Sequence, residues 1–234
     1  MDVSVKEPAI PLPDGRLRHR IFFPAKPGAV SMDQLTDADR RMLCKITSGR
    51  RAVVDVGTFL GGSAEALLSG MPNDGNLISV DSYRGIRMAP GMATHEIPRA
   101  DVMEYVLGRL GEYSDRIAIV AGDNKLIASL MAKKSVDLVF IDAAHDYENV
   151  KADIAAWLPA VKDDGIIAGH DFERVVVERM TWEQIVERSY LEWDRETGCH
   201  FGVIRAVQES FTRIEVSEDH DSSIWVSRPE WRKV

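Results

Sequence analysis

Arg51 to Ser69 reads Arg-Ala-Val-Val-Asp-Val-Gly-Thr-Phe-Leu-Gly-Gly-Ser-Ala-Glu-Ala-Leu-Leu-Ser, and no other stretch restricts the fold as strongly. Ala52 to Val56 is a β-branched run with Asp55 near its end, the pattern of a buried strand. Gly57, Gly61 and Gly62 let the backbone turn tightly and approach a ligand with no Cβ in the way. Ser63 is placed to cap the helix that follows, and Ala64, Ala66, Leu67 and Leu68 supply its apolar side. Strand, glycine turn and helix N-terminus predict a pocket for the polar part of a nucleotide-like ligand. The spacing is not the dinucleotide fingerprint G-x-G-x-x-G, and no Lys-Ser/Thr marks a phosphate loop. Asp55 would repel a pyrophosphate; it suits a ligand with a cationic end.

The rest of the chain repeats the strand–helix alternation. Leu77 to Asp81, Ile117 to Ala121, Val136 to Asp142 and Ile166 to Asp171 are four more short strands, separated by helical periods. Five strands alternating with helices predict a parallel, doubly wound α/β sheet with right-handed crossovers. Arg174 to Arg195 reads as a helical insertion with Trp182 and Trp193, and Gly202 to Phe211 as another helix. Arg213 to Val216 and Ile224 to Ser227 read as two closing strands, making seven. Residues 1–50 are expected to form a proline-rich arm followed by a helix capped by Thr36, and residues 51–234 the sheet domain. Tyr83 to Pro98 has no periodicity and reads as a substrate lid carrying Arg84, Arg87 and His95, or as a mobile surface loop.

Composition narrows the partners. Acidic residues outnumber basic ones 37 to 29 over 234 residues, which disfavours general nucleic-acid binding and favours a small molecule. Cys44 and Cys199 form no metal spacing and no disulfide framework. With a polar N-terminus and no apolar run near about 18 residues, a cytoplasmic protein away from membranes is expected. Four of the five tryptophans lie at or beyond Trp182, as expected for a homo-oligomer contact or for ordinary core packing.

In an open parallel sheet, ligands sit at the carboxyl ends of the strands. Asp55, Asp81, Asp123, Asp142, His170 and Asp171 all fall there. Asp81 stands at the interval from Asp55 that suits a carboxylate on ribose hydroxyls, and Asp123 either faces the ligand or caps the next helix. Asp142 and Asp171 end neighbouring strands, so their carboxylates can converge on a hard cation such as magnesium. His170 beside them suits manganese, iron or zinc better, contacts substrate, or only hydrogen-bonds its loop. His145 stands three residues after Asp142 in the loop leaving the same strand, where a histidine can also simply support its neighbours or cap the next helix.

Asp55 to Gly62 resembles the first motif of class I S-adenosylmethionine-dependent methyltransferases. Phe140-Ile-Asp-Ala-Ala-His-Asp-Tyr147 and Gly165-Ile-Ile-Ala-Gly-His-Asp-Phe172 resemble the metal-dependent O-methyltransferases of that class, in the group with macrolide sugar methyltransferases and cephalosporin-hydroxylase-like proteins. The resemblance implies a Rossmann-like, mostly parallel seven-stranded sheet closed by an antiparallel hairpin. It implies S-adenosylmethionine held by Asp55, Gly57, Thr58, Gly61, Gly62, Ser63, Asp81, Ser82, Asp123 and Asp142. It also implies a divalent cation, magnesium first, on Asp142, His170 and Asp171, with His145 and Asp142 as catalytic groups. The sugar enzymes tend to carry an acid pair where this chain has His170-Asp171. The implied reaction is in-line attack by a hydroxyl of a small molecule, a sugar or specialised metabolite, on the sulfonium methyl carbon. A metal-free methyltransferase with His145 alone as base, a nicotinamide-dependent oxidoreductase and a non-catalytic binding subunit remain as other readings.

Overall fold

A computed structural model describes residues 10–11, 17–18, 35–83, 99–194, 196–219 and 221–233. The chain divides into two compact units, Met1–Met32 and Asp33–Val234. The first holds a short antiparallel pair, β1 (Ile10–Pro11) with β2 (Leu17–Arg18). Most of the proline-rich arm, and Arg84, Arg87 and His95 of the expected lid, lie outside the described residues.

The second unit opens with α1 (Asp37–Thr47), whose Thr36 cap and Asp39 form a reciprocal capping box. Alternation then follows the sequence: β3 (Ala52–Val56), α2 (Gly62–Gly70), β4 (Asn76–Asp81), α3 (Arg99–Arg109), β5 (Ile117–Ala121), α4 (Asn124–Leu130) and β6 (Val136–Ile141). After α5 (Tyr147–Trp157) and β7 (Val161–Gly169) the expected insertion is broken into two short helices, α6 (Arg174–Arg179) and α7 (Trp182–Arg188). Thr181 caps α7 with its own capping box, which restarts the helix two residues after α6 ends. The chain finishes with α8 (Phe201–Ser210), β8 (Glu215–Val216) and β9 (Trp225–Ser227).

The seven strands run in the order β5-β4-β3-β6-β7-β9-β8. The first four pairings are parallel, and β9 pairs antiparallel with β7 and β8. Burial explains the strand compositions. Leu138, Val139 and Phe140 of β6 have no exposed surface, as expected for a central strand covered by helices on both faces. Trp157, Phe201, Phe211 and Trp225 fill the core with α5 and α8, and each would cost about 3–5 kcal/mol to truncate to alanine. Trp182 and Trp193 are exposed, so the late tryptophans divide between core and surface. Among the described residues no helix is long and apolar enough to cross a membrane.

This topology fixes where a ligand can sit. The chain winds outward from β3 through β4 to β5, then returns to β6 on the other flank of β3. The switch point therefore lies between β3 and β6, where the loops leaving them part and leave a crevice.

Candidate active site

The two loops at the switch point are locked together by backbone. Asp142 N–H donates to Val56 O at 2.8 Å, and Gly57 N–H donates to Val80 O at 2.8 Å. Gly57 has φ +102°, and a Cβ there would lie 1.9 Å from the carbonyl oxygen of Asp142. No residue but glycine fits. Gly61, also at positive φ, is the N-cap of α2 and offers no side chain to the N–H groups of its first turn.

That geometry corrects part of the sequence reading. Ser63 is not the cap; it lies inside the first turn of α2, and its hydroxyl turns to Asp55. Asp55 has no exposed surface, so it cannot meet a ligand's cationic end directly. It lies beneath the glycine turn and accepts from Ser79 Oγ at 2.7 Å; Ser79 in turn meets Thr58 Oγ1 at 2.6 Å. Thr58 is equally buried, so these residues brace the loop from below. Burial pushes the Asp55 carboxyl up to about 7, against the hydrogen bonds from Ser79 and Ser63.

Asp81 and Ser82 stay partly exposed beside the turn. The Asp81 carboxylate accepts from Phe59 N–H at 2.8 Å and Tyr83 N–H at 2.7 Å, with lone pairs left for hydroxyl donors. Asp123 is exposed and caps α4 by accepting from Leu126 N–H at 3.0 Å, the second of its two expected uses.

Across the crevice the ends of β6 and β7 carry a second, denser cluster. Asp171 has φ +61°, an uncommon conformation for aspartate, and its N–H is fixed by Ser223 Oγ at 3.1 Å. Its carboxylate meets three imidazoles: His145 Nε2 at 3.0 Å, His170 Nδ1 at 3.0 Å and His200 Nδ1 at 3.3 Å. Asp142 lies 3.5 Å from His145 Nε2 and 4.0 Å from His170 Nδ1. One donor atom each from Asp142, His170 and Asp171 falls within 4.8 Å of the others, so the expected ligands are brought together. His170 turns Nε2 to Asp39 Oδ2 at 3.2 Å, which leaves Nδ1 facing the two aspartates. A carboxylate behind an imidazole is the arrangement that orients metal-ligating histidines. The donor set therefore fits a divalent cation, with one nitrogen where a magnesium site would have oxygen.

Charge here is strongly coupled. Burial pulls both His145 and His170 down, and their carboxylates overcome it and hold both well above the ordinary histidine range. For His145 those carboxylates are Asp142, Asp171 and Glu192; for His170, Asp171, Asp39 and Asp142. Asp171 is held well below the carboxylate range because the histidines outweigh its burial.

Four members of this cluster were not foreseen as site residues. Asp39 is buried at the start of α1, accepts from Thr36 N–H and from Ser223 N–H, and so ties α1 to the segment before β9. The Thr36-x-x-Asp39 box is visible in the sequence, but as a cap alone. Glu173, Glu192 and His200 come from the insertion and the start of α8. Glu192 Oε2 accepts from His145 N–H at 3.0 Å, and Glu173 Oε1 meets His200 Nδ1 at 2.6 Å. No spacing in the sequence marks them.

Residues 54–172 match the family model described as methyltransferase domain. An inferred O-methyltransferase of Mycolicibacterium vanbaalenii is 33% identical over 117 residues, covering 50% of this chain and 46% of that protein. One from Mycobacterium tuberculosis is 30% identical over 139 residues, covering 58% of this chain and 55% of its own length. The chain thus spans about half the length of the curated relatives it matches. Among solved structures, an O-methyltransferase of tomaymycin synthesis from Streptomyces achromogenes, in complex with S-adenosylmethionine, superposes with TM-score 0.55 at 14% identity, covering 83% of this chain and 81% of that one. A Bacillus cereus O-methyltransferase in complex with S-adenosylhomocysteine gives TM-score 0.54 at 16% identity, covering 83% and 82%. At these identities the structures establish the shared fold.

Proposed function

The chain belongs to the methyltransferase-domain family, and from that premise we propose that it transfers the methyl group of S-adenosylmethionine to a hydroxyl of a small molecule. The observation that carries this reading is the junction at the switch point. A side-chain-free glycine turn, sealed against Asp142, stands directly beside the aspartate–histidine cluster. One side suits the methyl donor and the other the acceptor, so both reactants can be aligned across one crevice. Alignment is where most of the rate gain of a direct methyl transfer is available.

On the donor side, the open N–H groups of α2 face the carboxylate of the amino-acid part, and Asp81 takes the ribose hydroxyls. On the acceptor side, Asp142, His170 Nδ1 and Asp171 would hold a divalent cation. Such an ion supplies Lewis-acid polarisation of the acceptor hydroxyl. His145 Nε2, directed at Asp171 and Asp142, accepts the hydroxyl proton as the methyl group leaves sulfur. A cation held on those carboxylates would weaken their hold on the His145 proton. The acceptor is proposed as a polyhydroxylated molecule, because a hard cation held there would favour oxygen donors from the substrate.

Calorimetry with S-adenosylmethionine and with NAD, followed by turnover on sugar and catechol acceptors with and without a chelator, tests this reading. Heat with the methyl donor and none with NAD is expected, with turnover lost on chelation. No heat with the methyl donor would overturn the activity. An unchanged rate after chelation would leave His145 as sole base and remove the metal.

A further inference from the structure

His200 has no part in the scheme above, yet it stands in the middle of the cluster. His145, Asp171 and His200 each offer one donor atom within 4.8 Å of the other two, a set that shares only Asp171 with Asp142 and His170. His145 Nε2 lies 3.0 Å from one Asp171 oxygen and His200 Nδ1 3.3 Å from the other. Two ligand atoms held at zinc's usual bond lengths in a tetrahedron are about 3.3 Å apart. The imidazoles lie 4.8 Å apart between centroids, tilted by 45°, so both rings border one small volume.

The surroundings hold these donors in place. His145 turns Nδ1 to Glu192 Oε2 at 3.3 Å, which leaves Nε2 as its free ligand atom. His200 precedes α8, and a Cβ on Gly202 would lie 2.2 Å from His145 O and 2.5 Å from Tyr147 N. Only glycine lets α8 approach the His145 loop so closely, and that approach sets His200 beside His145. Glu173 Oε1 lies 2.6 Å from His200 Nδ1, closer than two ligands of one zinc stand, so it holds the ring from beside the set. Two imidazoles with carboxylates are a ligand set for zinc, cobalt or manganese rather than for magnesium.

We propose that His145, Asp171 and His200 form a second cation position suited to zinc or cobalt(II), and that an ion there withdraws His145 from proton transfer. Ion capture does not depend on the methyltransferase reading; the inhibition does rest on it.

The full chain, without methyl donor, is titrated with cobalt(II) and followed by visible absorption, and the zinc-loaded protein is examined by X-ray absorption. Two imidazole nitrogens around the ion are expected, measured on the unaltered protein. His200→Ala should weaken cobalt(II) and zinc binding by about tenfold or more, while Asp142→Asn shifts it by less than about threefold. Fewer than two imidazoles, or equal affinity in His200→Ala with affinity lost in Asp142→Asn, would overturn the proposal. In turnover assays with magnesium, zinc should inhibit the parent more strongly than His200→Ala. If no methyl transfer is seen under any condition, the activity reading fails while the spectroscopy still decides the ion site.

Discussion

The two sides of the crevice between β3 and β6 are built differently. The glycine-turn side takes its key residues from one contiguous run, Asp55 to Ser63, with Ser79 and Asp81 from the next strand. Its acids are committed locally: Asp55 is buried against Ser79, Asp81 holds two loop N–H groups, and Asp123 caps α4. The aspartate–histidine side draws Asp39, Asp142, His145, Asp171, Glu192 and His200 from five separate segments, and its polar atoms meet mainly one another. The first side is a backbone cradle whose side chains support it from beneath. The second is a side-chain constellation in which charge is concentrated and available for chemistry.

The largest expected effect tests that division directly. Asp171→Ala removes the carboxylate that three histidines share, and turnover should fall about 10³-fold or more while methyl-donor affinity stays within a few-fold. A large loss of donor affinity measured by calorimetry would mean that the two sides are not separable. Next, Gly57→Ala places a methyl group onto the Asp142 carbonyl at φ +102°. It should cost about 3 kcal/mol in urea denaturation and abolish donor binding. Unchanged stability would show that the loops at the switch point are looser than their hydrogen bonds imply.

Asp55→Asn sharpens the claim that the buried acids are braces. The folded-state pKa is raised from 3.8 to about 7, so the protonated acid is the form the fold favours. Its contribution to stability is fully present below the unfolded value and is lost as pH rises through about 7. Above that pH the asparagine variant should gain on the parent by on the order of 2–4 kcal/mol, with donor affinity little changed. A parallel pair of pH–stability curves would show that Asp55 is not desolvated in solution.

The smallest effect is at Glu192, whose side chain is 61% exposed. Its hydrogen bond with His145, against partial burial, lowers its carboxyl from 4.5 to about 2. Here the sign is opposite: the stabilisation is present above the unfolded value and fades as pH falls from 4.5 toward 2. Glu192→Gln should flatten the thermal-melting curve slightly in that window and alter turnover only several-fold. Loss of turnover as severe as in Asp171→Ala would give the insertion a direct part in the chemistry.

Much of the fold was legible because its signals are local. Alternating apolar strands and helical periods, the Thr36 cap and the glycine turn are each set by neighbours along the chain. Asp142, Asp171, His145 and His170 were legible for the same reason: each follows a recognisable strand, and adjacent strands bring their ends together. Asp55, Thr58 and Ser63 were read correctly as part of the turn but on the wrong side of it. A strand end shows that a side chain is near the crevice, not whether it points into it. Glu173, Glu192 and His200 had no local signal, because their meeting depends on how α6, α7 and α8 fold back over the β6 and β7 loops.

The sequence by itself determined the parallel sheet, the position of its crevice and the carboxylates at its rim, since hydrophobic period and turn chemistry act over a few residues. Only the tertiary structure decided which acids are buried braces and which are free to act. It also decided that His200, from a distant segment, joins His145 and His170 on Asp171. Burial and charge coupling belong to the packed molecule, where the close seat of Gly202 against the His145 loop brings together groups that are remote along the chain.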